Sequence, residues 1–410
     1  MRLLVYEHVS GGGFVDEVIP AGVLSEGFGM LATVISDFKA AGHSVTTTLD
    51  SRIARLNPLI AADCVVPVFS SKEAETNLHK ISEQADVAYV IAPETDSVLS
   101  SLVELVEQTG VESLNCSASV IEEVSDKAVF YDLMRRRVLP LPETILFSEA
   151  DDLDEVKEVI RDRLNFPLII KPSNGVSCRG LSVVRNEDQL AGAVDKIKRE
   201  SYSQHFLVQD LIIGTDASVS LLSTGDDVIA ISLNRQEVKL ETSEAPSSYC
   251  GGWVPFDNPL QAEAFEVAKK LIKAFPDLRG YIGIDFVLKE NEAVVVDVNP
   301  RLTTSYVGLR RVVNFNPAQA ILNAVLKSEL PTRHQRCGYT YFSKIETPNP
   351  TTTALQKIYG INEIVAPPFA LAENGTSAAL IAAHADTLKE AKARFREAKK
   401  HVIDTISRGK

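Results

Sequence analysis

Residues 283–287 read Gly-Ile-Asp-Phe-Val, and residues 294–301 read Val-Val-Val-Asp-Val-Asn-Pro-Arg. The apolar and β-branched residues predict two strands joined as an antiparallel hairpin. Because side chains alternate along a strand, Asp297 and Asn299 project from the same face. Asp285 meets them from the neighbouring strand if the register of the hairpin aligns the two strands.

These side chains supply two carboxylates and one amide oxygen, which are typical ligands of Mg²⁺ sites that also hold substrate phosphates. The alternative is that acidic residues simply end solvent-exposed strands. The three valines before Asp297 predict a buried carboxylate, which needs a partner, and this favours the metal interpretation. Arg301 follows directly, and its planar guanidinium suits a phosphoryl oxygen or a carboxylate.

Composition and charge exclude some classes of protein. Lys and Arg number 42 and Asp and Glu number 55, a net charge of −13, whereas a general nucleic-acid binder needs a cationic face. A length of 410 residues, 45% of them hydrophobic, predicts a soluble protein of about two or three domains. The five cysteines are scattered without a Cys-x-x-Cys pair and predict free, buried thiols. No signal peptide or membrane helix is expected, so the prediction is a cytoplasmic protein.

The first 123 residues alternate β-branched runs with helical patterns, which predicts an α/β domain with a parallel sheet over residues 1–123. In such a sheet, ligands bind at the C-terminal ends of the strands. The predicted strands are Arg2 to Tyr6, Ser44 to Leu49, Cys64 to Phe69 and Val87 to Ile91, and the predicted helices are Leu24 to Ala41, Lys72 to Ala85 and Ser97 to Thr109.

The following residues predict an α+β arrangement of two lobes, 124–205 and 206–330, and an extension over 331–410. The extension is expected to contain a Pro-rich loop and a final helix, Thr387 to Ser407, with a solvated charged face. Further predicted elements are a helix over Asp126 to Arg137 and strands at Leu181 to Val184, Phe206 to Ile213, Ala217 to Leu222, Val228 to Asn234, Tyr281 to Leu288 and Ala293 to Val298.

Three weaker motifs carry candidate binding residues. Lys171 ends an apolar run and precedes a polar, glycine-containing loop over residues 173–180, which suits phosphate oxygens, although an ordinary hairpin turn is the alternative. Lys127 lies in the first turn of a helix capped by Asp126 or the serine before it, where a cation opposes the helix dipole, so a ligand-binding role is favoured. The segment Gln209 to Ile212 predicts a strand and turn whose backbone suits an adenine edge.

A glycine triplet at residues 11–13 follows the first strand and precedes a helix. A dinucleotide-binding fingerprint is excluded because its third glycine would fall on Asp16. The prediction is a substrate loop beside which Glu26 binds an amine, and a flexible solvent loop is the alternative.

Trp253 is the one tryptophan and lies in a glycine-rich segment that the sequence predicts as a loop. It either shapes a pocket for an aromatic amine or anchors the loop by packing. The seven histidines are dispersed and show no His-x-x-x-His metal spacing.

In their order along the chain, these motifs resemble the ATP-grasp superfamily. The matching set is Lys127, Lys171 with its glycine loop, Gln209 to Ile212, Asp285, and Asp297 with Asn299 and Arg301. The resemblance covers about Leu114 to Arg311, and the preceding α/β unit matches the N-terminal domain usual in the family. It implies two α+β subdomains that hold ATP between them.

The resemblance implies a role for each matched residue. The implied phosphate and lid residues are Lys127, Lys171, Ser173, Gly175, Arg179 and Gly180, and the implied adenine hinge is Gln209, Asp210, Leu211 and Ile212. The resemblance places Asp216 near the ribose or the metal and implies that Mg²⁺ is bound by Asp285, Asp297 and Asn299, with Mn²⁺ left open. The implied catalytic residues are Arg301 and Lys171. Two positions depart from the family pattern. Asp297 stands where Glu is common, and Cys178 and Arg179 stand where glycines are common, so Arg179 is itself a candidate phosphate ligand.

A narrower resemblance links three segments to the tyramine–glutamate ligase group of methanofuran biosynthesis: Asn299 to Tyr306, Ser232 to Gln236, and Ser10 to Gly13 with Ser25 to Gly27. It implies an ATP- and Mg²⁺-dependent carboxylate–amine ligase that forms an amide through an acyl phosphate. The expected partners are ATP, a small carboxylate and an amine. Binding to nucleic acid or to a membrane is not expected, and the formation of a homodimer is left open. The alternatives are another ATP-grasp amino-acid ligase and an ATP-binding regulator that has lost its chemistry.

Overall fold

The N-terminal part forms a five-stranded parallel sheet in the order β3-β2-β1-β4-β5. The computed structural model describes residues 1–175, 178–201, 203–332, 335–371 and 375–409. The elements of this part are β1 (Arg2–Glu7), α1 (Ala21–Ala40), β2 (Ser44–Asp50), α2 (Ser51–Ala54), β3 (Cys64–Val68), α3 (Ser71–Ser82), β4 (Val87–Ile91), α4 (Val98–Glu107), β5 (Glu112–Ser113) and α5 (Ala118–Ser125). The predicted parallel α/β arrangement is confirmed.

The strand order reverses between β1 and β4, so their C-terminal ends lie side by side and form the crevice where such sheets bind ligands. A short π-helical turn, Val9–Gly13, follows β1, and Glu94 follows β4. Both segments therefore lie on the ligand edge of this sheet.

The next lobe is a four-stranded sheet in the order β6-β9-β7-β8, with antiparallel pairs throughout. Its elements are α6 (Lys127–Arg136), β6 (Thr144–Ser148), α7 (Leu153–Arg163), β7 (Leu168–Pro172), β8 (Ser182–Val184), α8 (Leu190–Glu200) and β9 (His205–Asp210). Buried Ile160, Leu168 and Ile197 join the helices and the sheet in one apolar core. The strand β9 ends at Asp210, whereas the sequence predicted a strand as far as Ile213.

The largest sheet has eight strands in the order β14-β13-β10-β11-β12-β15-β17-β16. Its elements are β10 (Thr215–Ser223), β11 (Val228–Lys239), β12 (Ser248–Val254), α9 (Gln261–Ile272), β13 (Gly280–Lys289), β14 (Glu292–Asn299), α10 (Tyr306–Val312), α11 (Pro317–Lys327), β15 (Tyr339–Pro348), α12 (Thr352–Ile358), β16 (Ile364–Ala366), β17 (Thr376–Ala385) and α13 (Leu388–Arg408). The predicted hairpin is the antiparallel pair of β13 and β14.

The residues after 330 continue this sheet. β15 pairs with β12 on one side and with β17 on the other, while α1 packs against β16 and β17. The rings of Phe28 on α1 and Phe369 lie 4.9 Å apart at this contact. The sequence predicted a loop and a helix here and missed three strands. The alanine-rich β17 carries few of the residues that favour strands, whereas β15 is rich in them and was missed nonetheless.

Three sequence predictions need correction. Trp253 lies in the strand β12 and not in a loop. On α13, the Lys392 ammonium lies 4.1 Å from the centre of a Trp253 ring, so this lysine is not part of a solvated face. Of the cysteines, Cys116 is buried as predicted, but Cys64 and Cys337 are exposed.

Within the described ranges, no helix has both the length and the apolar character that crossing a bilayer requires.

A glycine on β12 tests how the sheet is assembled. A Cβ atom at Gly252 would lie 1.9 Å from the carbonyl oxygen of Arg235 on β11, so the two strands approach too closely for a side chain. We expect Gly252→Ala to lower the free energy of unfolding, measured by urea denaturation, by ~1–3 kcal/mol. At Gly360 the nearest atom to a new Cβ is 3.4 Å away, so Gly360→Ala is the matched control and should stay close to wild type. Equal stability of both variants would contradict this packing.

Candidate active site

The hairpin of β13 and β14 places the two predicted carboxylates beside each other. Asp285 and Asp297 are direct partners in the register, as are Gly283 and Asn299. Asn299 donates from Nδ2 to Oδ2 of Asp285 at 3.1 Å. The three oxygen-bearing side chains therefore lie together on one face of the hairpin.

Asp297 is held by Lys127, a residue 170 positions earlier in the chain. The Lys127 ammonium lies 2.7 Å from Oδ1 and 2.9 Å from Oδ2 of Asp297. The predicted N-cap is confirmed, since the Asp126 side chain accepts the backbone N–H groups of Ala128 and Val129 at the start of α6. This cap fixes the start of α6 and the position from which Lys127 reaches across to β14.

Lys171, at the end of β7, approaches the same strand from the other lobe. Its ammonium lies 3.2 Å from the Tyr131 hydroxyl and 3.4 Å from the carbonyl oxygen of Val296. Tyr131 also donates to that carbonyl at 2.7 Å. Two lysines from different segments thus lie close to one carboxylate.

The charges of this cluster depend on one another. Burial raises the pKa of the Asp297 carboxyl, but the charges of Lys127 and Lys171 outweigh burial and hold that pKa below its usual range. Burial lowers the pKa of the Lys171 ammonium, and the charge of Asp297 opposes that effect. Asp297 is therefore an anion that balances two cations, buried Lys127 and half-buried Lys171.

Asp285 lies in a different environment. Its Oδ1 accepts a hydrogen bond from Gln236 on β11 at 2.8 Å. Burial, together with the charge of Asp297, raises the pKa of Asp285 to about 6, despite the hydrogen bonds from Asn299 and Gln236. Gln236 ends a segment that carried the narrower resemblance, but its contact with Asp285 was not predicted, because it depends on the pairing of β10 with both β11 and β13.

Arg301 is bound to a residue that the sequence analysis missed. Its guanidinium donates to Glu94 at 2.9 Å, and the two side chains are only 14% and 8% exposed. Burial alone would lower the pKa of the Arg301 guanidinium. The negative charges of Glu94 and Asp285 outweigh burial and raise this pKa. The signal for Glu94 was its position after β4, on the predicted ligand edge of the parallel sheet.

The predicted lid begins beside these lysines. The hydroxyl of Ser173 lies 3.0 Å from that of Ser203, and Gly175 and Gly180 both lie against Pro172. Arg179 is exposed. Residues 176 and 177 of this predicted lid lie outside the described residues, so a lid function of the whole loop remains a prediction.

The predicted adenine hinge follows β9. Gln209 turns its side chain into the lobe, where Nε2 donates to Thr144 at 2.8 Å, and its backbone lies in an interior strand between β6 and β7. The N–H groups of Asp210 and Leu211 donate to the carbonyls of Glu143 and Pro167. Asp210, Leu211 and Ile212 are half-buried at the junction between the two lobes.

Asp216 lies at the start of β10 and does not join the two metal-site carboxylates. Its carboxylate is 3.8 Å from the guanidinium of Arg235. Burial raises the pKa of Asp216, although the charge of Arg235 lowers it. A role near ribose or metal remains a prediction for this residue.

The donor set fits Mg²⁺ better than a metal held by protein alone. In the part of the chain that the structure describes, no group of three His, Cys, Asp or Glu residues is placed to hold a metal ion. Asp285, Asp297 and Asn299 offer hard oxygen atoms in small number, as expected for a Mg²⁺ ion that takes its other ligands from phosphates and water. The lysines beside them suit those same phosphates.

The glycine triplet forms a buried turn, which excludes the flexible solvent loop. The carboxylate of Glu7 accepts the backbone N–H groups of Val9 and Ser10, and Gly12 has a φ of 116°. A Cβ at Gly12 would lie 2.6 Å from Val68, so glycine is needed there. Nearby, Glu26 is half-buried and binds Thr304 and Lys344.

A polar cavity of about 380 Å³ adjoins the site between the N-terminal domain and the first lobe. Glu94 lines it from the N-terminal domain, Ser125 and Asp126 from the junction of α5 and α6, and Ser173 and His205 from the lobe. Glu94 lines the cavity and also binds Arg301, so this side chain links the cavity to the charged residues of the site.

Comparison with known proteins places these residues in a family. A pre-ATP-grasp domain matches residues 43–121, and an ATP-grasp domain matches residues 124–305. The chain is 27% identical to tyramine–L-glutamate ligase of Methanocaldococcus fervens over 310 residues. This matched region covers 75% of this chain and 89% of the relative. The ligase of the same name from Methanocaldococcus jannaschii is 25% identical over 322 residues, 78% of this chain and 87% of the relative.

A solved structure shows the same fold. Biotin carboxylase of Campylobacter jejuni matches 98% of this chain and 91% of its own chain with a TM-score of 0.75. At 15% sequence identity, this likeness concerns the fold alone.

The two carboxylates are expected to differ in their effect on stability. Asp297→Asn leaves buried Lys127 and half-buried Lys171 without their anion and should lower the free energy of unfolding by ~1.5–3 kcal/mol. Asp285→Asn removes a charge that burial disfavours and should change stability by no more than ~1 kcal/mol. Urea denaturation at pH 7 without added metal measures both variants. Equal losses would contradict the charge assignment made here.

Proposed function

Because this chain belongs to the ATP-grasp superfamily and is a carboxylate–amine ligase, we propose that it joins the carboxylate of glutamate to tyramine or a related amine, a reaction of methanofuran-type cofactor biosynthesis. The observation that carries this proposal is the convergence of Lys127, Lys171, Asp285 and Asp297 at the junction of the two lobes. The tyramine–L-glutamate ligases support the choice of substrates, since they resemble this chain over most of its length.

ATP would lie between the lobes, with adenine at the backbone of residues 209–212 and its phosphates beside Lys127 and Lys171. Bound Mg²⁺, for which Mn²⁺ could substitute, would be held by Asp285, Asp297 and Asn299 and would neutralise charge on the β- and γ-phosphates. The phosphates would supply new anions to the two lysines, so that Asp297 becomes free to bind the metal ion. The lysines therefore exchange one anionic partner for another without leaving a charge unpaired.

The first chemical step would be attack of a carboxylate oxygen on the γ-phosphorus. The bond from the γ-phosphorus to the β,γ-bridging oxygen breaks, ADP leaves, and an acyl phosphate forms. Arg301 would hold the acid or the transferring phosphoryl group, and its contact with Glu94 would keep the guanidinium oriented.

In the second step, the amine nitrogen would attack the acyl carbon. The carbon–oxygen bond to phosphate breaks, inorganic phosphate leaves, and the amine proton is lost to the departing phosphate. An acyl phosphate hydrolyses in water, so the loop after Lys171 would have to close over it. No covalent enzyme intermediate is needed, since positioning and charge neutralisation carry the rate.

A substrate panel tests the proposal. ADP release is measured with glutamate and other amino acids, each with tyramine, tyrosine or another amine, and the product is identified by its mass. We expect ADP release that needs both acid and amine, and a product mass equal to the two substrates minus water. ATP binding without turnover on any pair would indicate a regulator, and turnover with other pairs only would indicate a different amino-acid ligase.

A single lysine tests the site within that reaction. Lys171→Ala should reduce amine-dependent ADP release at least ~100-fold, because it removes a cation that faces the phosphates in a buried site. Lys157→Ala is the matched control in the same lobe, since Lys157 lies on α7 and forms a surface ion pair with exposed Asp154 at 2.6 Å. Full activity of Lys171→Ala would remove this residue from the mechanism.

A further inference from the structure

An ion pair outside the matched ATP-grasp domain lies against the loop that carries Arg301. Glu26 on α1 binds the ammonium of Lys344 on β15, and the two side chains are 14% and 22% exposed. The other carboxylate oxygen of Glu26 accepts a hydrogen bond from Thr304 at 2.9 Å. Thr304 follows Arg301 by three residues. The pair therefore connects the N-terminal domain, the C-terminal strands and the active-site loop at one point.

The charged pair is not needed to hold α1 against the C-terminal strands. Elsewhere this contact is apolar, with Phe28 against Phe369 and with Gly29 facing Leu380 and Val365. Taking two charges out of water costs free energy, and apolar residues in place of such a pair are often equally or more stabilising. A reason other than packing is therefore needed for Glu26 and Lys344.

The pair lies within electrostatic reach of the metal-site carboxylates. The Lys344 ammonium is 5.9 Å from the centre of the Tyr249 ring. Burial raises the pKa of Tyr249 well above its usual value, and the charges of Glu26 and Asp285 both add to this shift. The charges of Glu94, Asp285 and Glu26 likewise raise the pKa of the Arg301 guanidinium. Through Thr304, Glu26 and Lys344 thus lie against the loop that carries Arg301, and both side chains retain some access to solvent.

We propose that Glu26 and Lys344 form a subsite for the amino-acid end of the carboxylate substrate. The α-ammonium of the substrate binds Glu26, the α-carboxylate binds Lys344, and the side-chain carboxylate extends toward Arg301, where it is phosphorylated. This inference rests on the proposed function and adds to it the two residues that would recognise the α-groups of the acid substrate.

Charge complementarity supports this assignment. The ion pair contributes one anion and one cation, and the amino-acid end of the substrate contributes one of each, so each charge exchanges one partner for another. The substrate therefore enters without adding net charge to a poorly solvated region. Because both α-groups are occupied in binding, the amide forms at the side-chain carboxylate and the product keeps a free α-ammonium and α-carboxylate.

The test compares glutamate with two analogues, each of which lacks one α-group. Glutarate lacks the α-ammonium, and 4-aminobutyrate lacks the α-carboxylate. The kcat/KM of each acid is measured with the amine that gives turnover, for the wild type, Glu26→Gln and Lys344→Met. In Glu26→Gln the preference for glutamate over glutarate should fall at least about tenfold, and in Lys344→Met the preference over 4-aminobutyrate should fall by a similar factor. The KM for ATP should stay unchanged in both.

Two further variants separate binding from a structural effect. Asp37 on α1 forms another ion pair, with Arg310 on α10. Arg310→Met is therefore the matched control. It should keep the preferences for glutamate over glutarate and over 4-aminobutyrate, even if it lowers Tm. Lys344→Arg keeps the positive charge and should retain the preference over 4-aminobutyrate. If Lys344→Met fails to fold, the Glu26→Gln ratio decides.

The outcomes distinguish this subsite from the proposed function. A wild-type enzyme that ligates no acid to any amine overturns the proposed function and the subsite with it. A wild type that ligates glutamate, while Glu26→Gln and Lys344→Met leave both preferences unchanged, overturns the subsite alone. A product joined through the α-carboxylate, identified by fragmentation in a mass spectrometer, also overturns it.

Discussion

The site depends on the balance of charge around Asp297. Lys127 occupies both oxygens of this carboxylate, and Lys171 lies close by from the other lobe. Each of the three residues is costly to bury alone, and together they are compatible with a poorly solvated junction. The cap of α6, the end of β7 and the register of the β13–β14 hairpin all serve to bring these three charges to one place.

The same arrangement explains why the protein suits a reaction of phosphates. In the proposed function, Lys127 and Lys171 would accept phosphate oxygens in place of the carboxylate of Asp297, and that carboxylate would turn to a metal ion. Asp285 is adjacent but carries no cationic partner in direct contact among the described residues, so burial raises its pKa, in contrast to that of Asp297. A divalent cation would compensate that charge directly.

The sequence predicted the parts of the site that lie on recognisable local patterns. The valine-rich strands around Asp285 and Asp297 predicted the hairpin and its face, and Lys127 stood out because a cation at a helix N-terminus is unfavourable. Glu94, Gln236 and Lys344 carried no comparable local signal. Glu94 meets Arg301 across 207 residues and Lys344 meets Glu26 across 318, and such contacts follow from how sheets assemble. Among the missed strands after residue 330, β17 is stabilised by pairing and burial and not by its own propensity, whereas β15 does carry the aromatic and β-branched residues of a strand.

The most direct test follows oxygen atoms from the acid to phosphate. Glutamate labelled with ¹⁸O in the side-chain carboxylate is incubated with ATP, Mg²⁺ and the amine, and the inorganic phosphate is analysed by mass spectrometry. The mechanism predicts one ¹⁸O atom in each phosphate released, because the carboxylate oxygen that attacks the γ-phosphorus leaves with it. Label carried only by the α-carboxylate should not appear in phosphate. Phosphate free of ¹⁸O from the side-chain label, in an enzyme that makes the amide, would contradict the account.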